Sequence, residues 1–340
     1  MRVVFRVFII VIFLVVATSA WLVFAGNTAF NGKLKHLYIY PYSKNYEQQI
    51  QSQLDSGKII DNVKVFRFLA ARFNVYKNVT PGRFTVKKGT SVYGLLKILL
   101  ANKQDTVHFT IKRVRTLEGF AGMLGKNFIA DSVSSLQFLR SNDSLKPFGV
   151  DTFTFISLLI PGTYEMKWQY TIPQILSVFQ KEKENFWQNN HRTERAAAQG
   201  LTPEEATTLA SIVEDETLKD SEKDTIASVY LNRLKINMPL AADPTIKFAL
   251  RNFNLKRILL EELKVQSPYN TYVNKGLPPG PICTPDSLTI EAVLNAPKTN
   301  YLYFVAKPDF SGYHDFSTDY QSHLQKAKAY QEALDERNIK

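Results

Sequence analysis

A single cysteine, Cys283, stands in 340 residues, which excludes an intramolecular disulfide framework and any cysteine-rich zinc or iron–sulfur site. Histidine is nearly as scarce, with five along the chain, too few and too scattered for a multi-histidine centre. Neither a metal nor a cofactor is expected. Glycine and proline number fifteen each, so the chain is neither collagen-like nor of low complexity. Charged residues at 21% against 45% apolar ones exclude a mostly disordered chain. At this length more than one core is expected.

Positive charge is concentrated rather than spread. Asn31 to Arg115 holds 16 Lys/Arg and 4 Asp/Glu, a balance of +12 within a formal net charge of +11. Such a region suits nucleic acid, anionic lipid or another polyanion, or is a solvated face beside a membrane. The preceding segment chooses among these. Val7 to Ala25 is nineteen residues without a charge, close to the roughly 20 needed to cross a hydrocarbon core. Arg2 and Arg6 precede it, and no Lys or Arg follows until Lys33, so the N-terminus is expected in the cytoplasm and the rest outside it. A cleaved signal peptide is the rival, but its apolar core is usually only about 7–15 residues long. A single membrane anchor is expected, and nucleic acid is not expected as a partner.

Further along, LYIYPY reads as a short strand ending near Pro41, and Tyr46 to Asn74 as helical. Arg83–Val86 alternates as a strand, Lys87-Lys88-Gly89 turns, Thr90 or Ser91 can cap a helix through Leu100, and Val107–Val114 alternates again. The run GRFTVKKGTSVYGLLKILL resembles the core of LysM modules, which bind glycans containing N-acetylglucosamine. Leu117–Phe128 and Leu145–Leu159 look helical or irregular, Ile160-Pro161-Gly162-Thr163-Tyr164 reads as a turn, and Ile172–Trp187 as a helix. The organisation expected is a cytoplasmic tip and anchor over 1–30, a basic LysM-like region over 31–115, a connecting region over 116–195 and a catalytic domain over 196–340.

Thr202-Pro203-Glu204-Glu205 is a strong helix start with a capping box and Pro at the first position. The helix continues through ATTLASIVEDET. At 100° per residue, Ala206, Leu209, Ala210 and Val213 share a face. Glu216 falls near that face, Glu214 on its flank, and Asp215 towards solvent. A carboxylate beside a buried face is costly to desolvate. Either both glutamates pair with basic residues such as Arg233, or one is a general acid that keeps its proton in apolar surroundings. Periodicity does not choose between them. A second helix, SEKDTIASVYLNRLKI, is capped by Ser221, and Asp243 is placed to cap a third through Leu250. Ser267 to Pro285 carries five prolines and two glycines, so it is a stiff loop. Its Tyr269, Asn270 and Tyr272 suit stacking on sugars and bonding hydroxyls, or simply pack the loop down.

Together, LASIVEDET, ASVYLNRL, DPTIKFAL, SPYNTY, GLPPGPI and YLYFV resemble the MltG/YceG-like endolytic murein transglycosylases, in the family's order and approximate spacing. The resemblance implies an α+β fold: an N-terminal transmembrane helix, a small LysM-like αβ module and a mainly helical, lysozyme-like catalytic domain. It implies a single-pass inner-membrane enzyme with a periplasmic catalytic domain, cutting the β-1,4 link between N-acetylmuramic acid and N-acetylglucosamine in nascent glycan and leaving 1,6-anhydro ends. Cell-wall synthases are the partners implied. The family's catalytic glutamate falls on Glu214; Glu216, Asn232, Asp243, Tyr269 and Asn270 line or brace the groove. His314 matches a C-terminal Gly-x-His pattern, for which a structural hydrogen bond is expected. Asp215, Asp220 and Pro239-Leu240-Ala241-Ala242 depart from the family's pattern. The rival functions are a non-catalytic glycan-binding scaffold and a hydrolase that admits water.

Overall fold

An apolar helix, Arg2–Phe24, opens the chain; the computed structural model describes residues 2–255 and 257–337. Within Val3–Phe24 the best eighteen-residue window has a mean hydropathy of 2.9, and none of it is buried. A helix apolar on every side and exposed in water is not a soluble element. At about 1.5 Å per residue it is long enough to cross a membrane.

The chain divides into two compact units. The first takes in the chain through Phe109 with 127–130 and 164–171; the second takes in 110–126, 131–163 and everything from Ile172 on. Among the described residues three separate two-stranded sheets stand among many helices, so the class is α+β.

In the first unit, strand β1 (Leu34–Ile39) pairs antiparallel with β2 (Gly82–Lys87), Leu34 opposite Lys87 and Ile39 opposite Gly82. Alternation sends Phe84 and Val86 into a core with Leu37, Ile39, Leu95 and Leu99, and turns Arg83, Thr85 and Lys87 outward. Ser91, of the two hydroxyls expected, caps the helix Val92–Leu100 by accepting from the Gly94 amide. The expected helix over Tyr46–Asn74 is instead two helices, Tyr46–Ser56 and Val63–Arg72. Gly57 ends the first, and Lys58 follows at φ 44°, a left-handed conformation that no helix continues through. Ile59 and Ile60 are therefore core residues of the break rather than of a helical stripe. The chain leaving the apolar helix is stitched into this unit. Asn27 N–H donates to the Thr90 carbonyl at 3.1 Å, Gly89 N–H donates to the Thr28 hydroxyl at 2.9 Å, and the rings of Phe24 and Tyr93 lie 5.2 Å apart.

β3 (Thr106–Ile111) pairs with β4 (Gly162–Lys167). The Pro161–Tyr164 segment expected as a turn thus becomes strand from Gly162, because strand pairing satisfies its backbone groups better than an isolated turn.

The second unit is built on the helix Pro203–Glu216, whose capping box forms as the sequence requires. It packs on Lys223–Lys235 and Ser287–Leu294, burying Leu209, Val213, Ile226, Tyr230, Ile290 and Val293 in one core. Its polar flank is buried too. Thr207, Thr208 and Ser211 return their hydroxyls to carbonyls of their own helix, and Ser211 Oγ also accepts from Ile282 N–H at 3.0 Å. Two expected caps are displaced. Glu222, not Ser221, precedes Lys223–Lys235, and Ala242 precedes Asp243–Ala249, so that Asp243 is the first helical residue. β5 (Tyr303–Ala306) and β6 (His314–Ser317) form the last antiparallel pair, followed by the helix Tyr320–Glu336. The stiff loop fixes one close approach: a Cβ on Gly280 would run into the Phe153 carbonyl. Gly280→Ala is expected to lower stability by about 1–3 kcal/mol, as overpacking does, seen as a lower urea midpoint at unchanged slope.

Candidate active site

Three consecutive carboxylates, Glu214, Asp215 and Glu216, end the helix Pro203–Glu216, and no basic residue stands in its last turn. Negative charge is unfavourable at a helix C-terminus. The fold answers by giving each carboxylate its own partners.

Glu214 Oε2 lies 3.2 Å from the Lys223 ammonium and accepts a short bond from the Thr289 hydroxyl. Among the described residues no hydrogen bond falls on its Oε1. Lys223 is itself buried, donating to Thr289 at 2.9 Å and pairing with Asp220 at 2.9 Å. Burial alone would lower its pKa, but Asp220 and Glu214 outweigh that, and the ammonium is raised and firmly charged.

Asp215 does not point to solvent, as the helical wheel expects. Its side chain is 8% exposed and held between Arg113 and Arg115, the latter at 2.5 Å. Ser211, one turn earlier on that face, is covered by the stiff loop through Ile282, and Thr284 of the same loop exchanges bonds with Val114, between the two arginines. That covering turns an outward face into an inward one. Cys283, buried beside Ser211 and Asp215, has its thiol pKa pushed up by burial.

Glu216 accepts from the buried Tyr230 hydroxyl at 2.5 Å. Burial pushes its carboxyl up to about 7; the Tyr230 bond offsets this in part, while Asp243 adds to it. The folded protein therefore holds a proton that the unfolded chain releases near 4.5. The associated stability is complete below that value and is lost as pH rises through about 7. Glu216→Gln keeps an acceptor for Tyr230 and removes the titration. Its fall in Tm between pH 4.5 and 7.5 is expected to be flatter than that of the parent, by at most about 3 kcal/mol of stability, measured by calorimetry.

Arg113, Arg115, Glu214, Glu216, Lys247 and Phe253 line a cavity of about 180 Å³ at this helix end. The other residues singled out in the sequence do not line this cavity, and each has partners of its own. Asn232 donates its amide to the carbonyls of Thr299 and Tyr301, at 2.9 and 3.0 Å. Asp243 is exposed and accepts from the Tyr272 hydroxyl at 2.5 Å. Asn270 is wholly buried, its amide nitrogen donating to Leu263 and Val265 and its oxygen accepting from Tyr272 N–H. Tyr269 packs its ring 4.5 Å from that of Phe248, so this tyrosine does pack the loop down. His314 makes two bonds to Glu222, one from its backbone and one at Nδ1 at 3.1 Å. Arg233, the cation first considered for the glutamates, spends its bonds on the Leu302 and Leu240 carbonyls.

Lys223, Thr289, Arg113, Arg115 and Tyr230 escaped sequence reasoning. Only the i, i+2 spacing of Arg113 and Arg115 places two cations on one side of an extended segment, and nothing local ties them to a helix about 100 residues on. Among the described residues no group of three or more His, Cys, Asp or Glu is placed to hold a metal ion.

The result is a mixed α+β protein with, among the described residues, one candidate membrane span and a cleft walled by carboxylates and the cations that hold them. A model of the YceG-like family matches residues 43–329, and the chain belongs to that family. An endolytic murein transglycosylase of Bacillus subtilis is 47% identical over 100 residues, 29% of this chain and 28% of that protein. One from Streptococcus pneumoniae is 27% identical over 290 residues, 76% of this chain and 52% of that protein. The chain thus spans about half, or less, of the length of these curated relatives. The crystal structure of a yceG-like protein from Listeria monocytogenes aligns with a TM-score of 0.56 at 26% identity, covering 86% of this chain and 98% of that one.

Proposed function

We propose that this protein is a peptidoglycan lytic endotransglycosylase that cuts nascent glycan strands internally and limits their length. The observation that carries the reading is Glu214 on the cavity wall, held through one oxygen by Lys223 and Thr289, with Oε1 unclaimed among the described residues. The family and the named relatives support it.

In this reaction the protonated Glu214 donates from Oε1 to the departing glycosidic oxygen as the bond to the muramic C1 breaks. The resulting carboxylate takes the proton of the muramic C6 hydroxyl, whose oxygen closes onto C1. Proton and bonds balance without water, the product ends in 1,6-anhydro-N-acetylmuramic acid, and one carboxyl does the work that ordinary glycosidases divide between two. Lys223 and Thr289 keep the carboxyl aimed, since their bonds to Oε2 fix its rotation. Glu216, Asn232, Asp243, Tyr269 and Asn270 support the groove. A second reading gives the proton to Glu216, whose carboxyl, at about 7, is about half protonated in neutral solution.

The apolar helix serves as a single-pass inner-membrane anchor with its N-terminus in the cytoplasm and the remainder in the periplasm. The β2–helix–β3 segment is read as a LysM-like glycan-binding module. The helical region from about Ala196 on is the lysozyme-like catalytic domain, working beside cell-wall synthases. Mass spectrometry of products from uncrosslinked glycan tests the reaction. Anhydro ends are expected; reducing ends would make the protein a hydrolase, and uncut glycan a binding scaffold.

A further inference from the structure

The outward face of β2 forms one wall of a second cavity, wholly within the first unit, of about 600 Å³. Arg83, Thr85, Lys87, Thr90, Lys103 and His108 line it. Its one lining carboxylate, Asp105, is already engaged: it accepts a short bond from Thr85, lies 3.2 Å from His36 and 3.5 Å from Arg83 Nε. That Nε is buried without a hydrogen-bond partner. The ion pairs of this unit join Arg67 to Asp55, Arg83 and His36 to Asp105, and His108 to Glu165; among the described residues none involves Lys87 or Lys103. Cations thus outnumber anions in the cleft, whose Thr85 and Thr90 hydroxyls already donate to Asp105 and to the Lys87 carbonyl.

Its position names the partner. Thr90 lines the cleft, and its carbonyl accepts from Asn27, three residues beyond the end of the apolar helix. With Gly89 bonded to Thr28 and Phe24 against Tyr93, the cleft is fastened to the helix rather than tethered by a free linker. If that helix spans a bilayer, as the proposed function holds, the Thr90 end of the cleft, two residues past Lys88 and three past Lys87, lies near the headgroup layer. Lysines at that level attract anionic lipid within a Debye length of about 8 Å, and an arginine fork bonds phosphate oxygens.

We propose that the β2 cleft is a binding site for the phosphate group of an anionic membrane lipid. Either a phospholipid headgroup or the diphosphate of an isoprenoid carrier supplies that group; the shared chemistry is the phosphate.

The test uses the full chain in neutral detergent micelles, titrated with phosphatidylglycerol, phosphatidylcholine, farnesyl diphosphate and inorganic diphosphate, with bound lipid counted by native mass spectrometry. Phosphatidylglycerol or farnesyl diphosphate is expected to bind at least tenfold tighter than phosphatidylcholine, with the tighter of the two identifying the source. The double variant K87Q/K103Q changes two exposed lysines and is expected to keep the parental Tm and lose most of that preference. The control K44Q/K58Q, on exposed lysines outside the cleft, is expected to retain it. Equal binding of phosphatidylglycerol and phosphatidylcholine, or equal losses in the two double variants, overturns the proposal. So does binding of inorganic diphosphate without lipid preference. Carbonate extraction of membranes separately reports whether the helix is integral, so failure of the anchor and failure of the cleft are told apart.

Discussion

Glu214→Gln is expected to fold like the parent and to lose about 10²–10⁴-fold of the proposed glycan cleavage, the usual contribution of a positioned acid–base group. The amide is nearly isosteric with the carboxyl, and its oxygen still accepts from Lys223 and Thr289. Asp220, 2.9 Å from the same ammonium, keeps Lys223 paired, so the change in Tm is small. Chromatography of released muropeptides measures the loss. Glu216→Gln is the comparison: as a brace, its cleavage falls less than tenfold. A larger loss there than in Glu214→Gln would move the proton to Glu216. Either outcome is readable because both variants keep the hydrogen bonds of the residue replaced.

Asp215→Ala is the largest expected loss of stability at the site, about 3 kcal/mol. It strips the shared carboxylate from Arg113 and Arg115, whose side chains are 39% and 27% exposed. Removing one partner of a wholly buried ion pair costs about 3–5 kcal/mol, because the remaining charge is left uncompensated; the partial exposure of the arginines places this case at the lower end. Asp215→Asn, which keeps an acceptor and loses the charge, is expected to lie between Ala and the parent. Urea unfolding followed by circular dichroism measures both. A surface aspartate, as the helical wheel describes this one, changes stability by no more than about 0.5 kcal/mol. A loss that small would mean that the covering of this face by the stiff loop is wrong.

These two residues show how far local pattern reaches. The start of the helix at Pro203 follows from Thr202, Pro203 and Glu205 alone, because a capping box closes within one turn. Its buried stripe follows from 3.6-residue periodicity. The helix break at Gly57 did not show, since the apolar spacing runs on through it and the left-handed Lys58 has no side-chain signature. The Asp243 cap was displaced by one residue because Tyr272, from a loop 29 residues on, takes its carboxylate.

Sequence by itself determined the apolar span, the concentrated positive charge before Arg115, the capped helix ending in three carboxylates, and the family motifs, since each is written in consecutive residues or in motif order. Tertiary structure alone decided how those carboxylates differ: Glu214 on Lys223 and Thr289, Asp215 between two arginines, Glu216 on Tyr230. Their partners lie from nine to about a hundred residues away in the chain. The charge a carboxyl carries depends on how much water and which cations surround it, and these are set only when distant segments close over it.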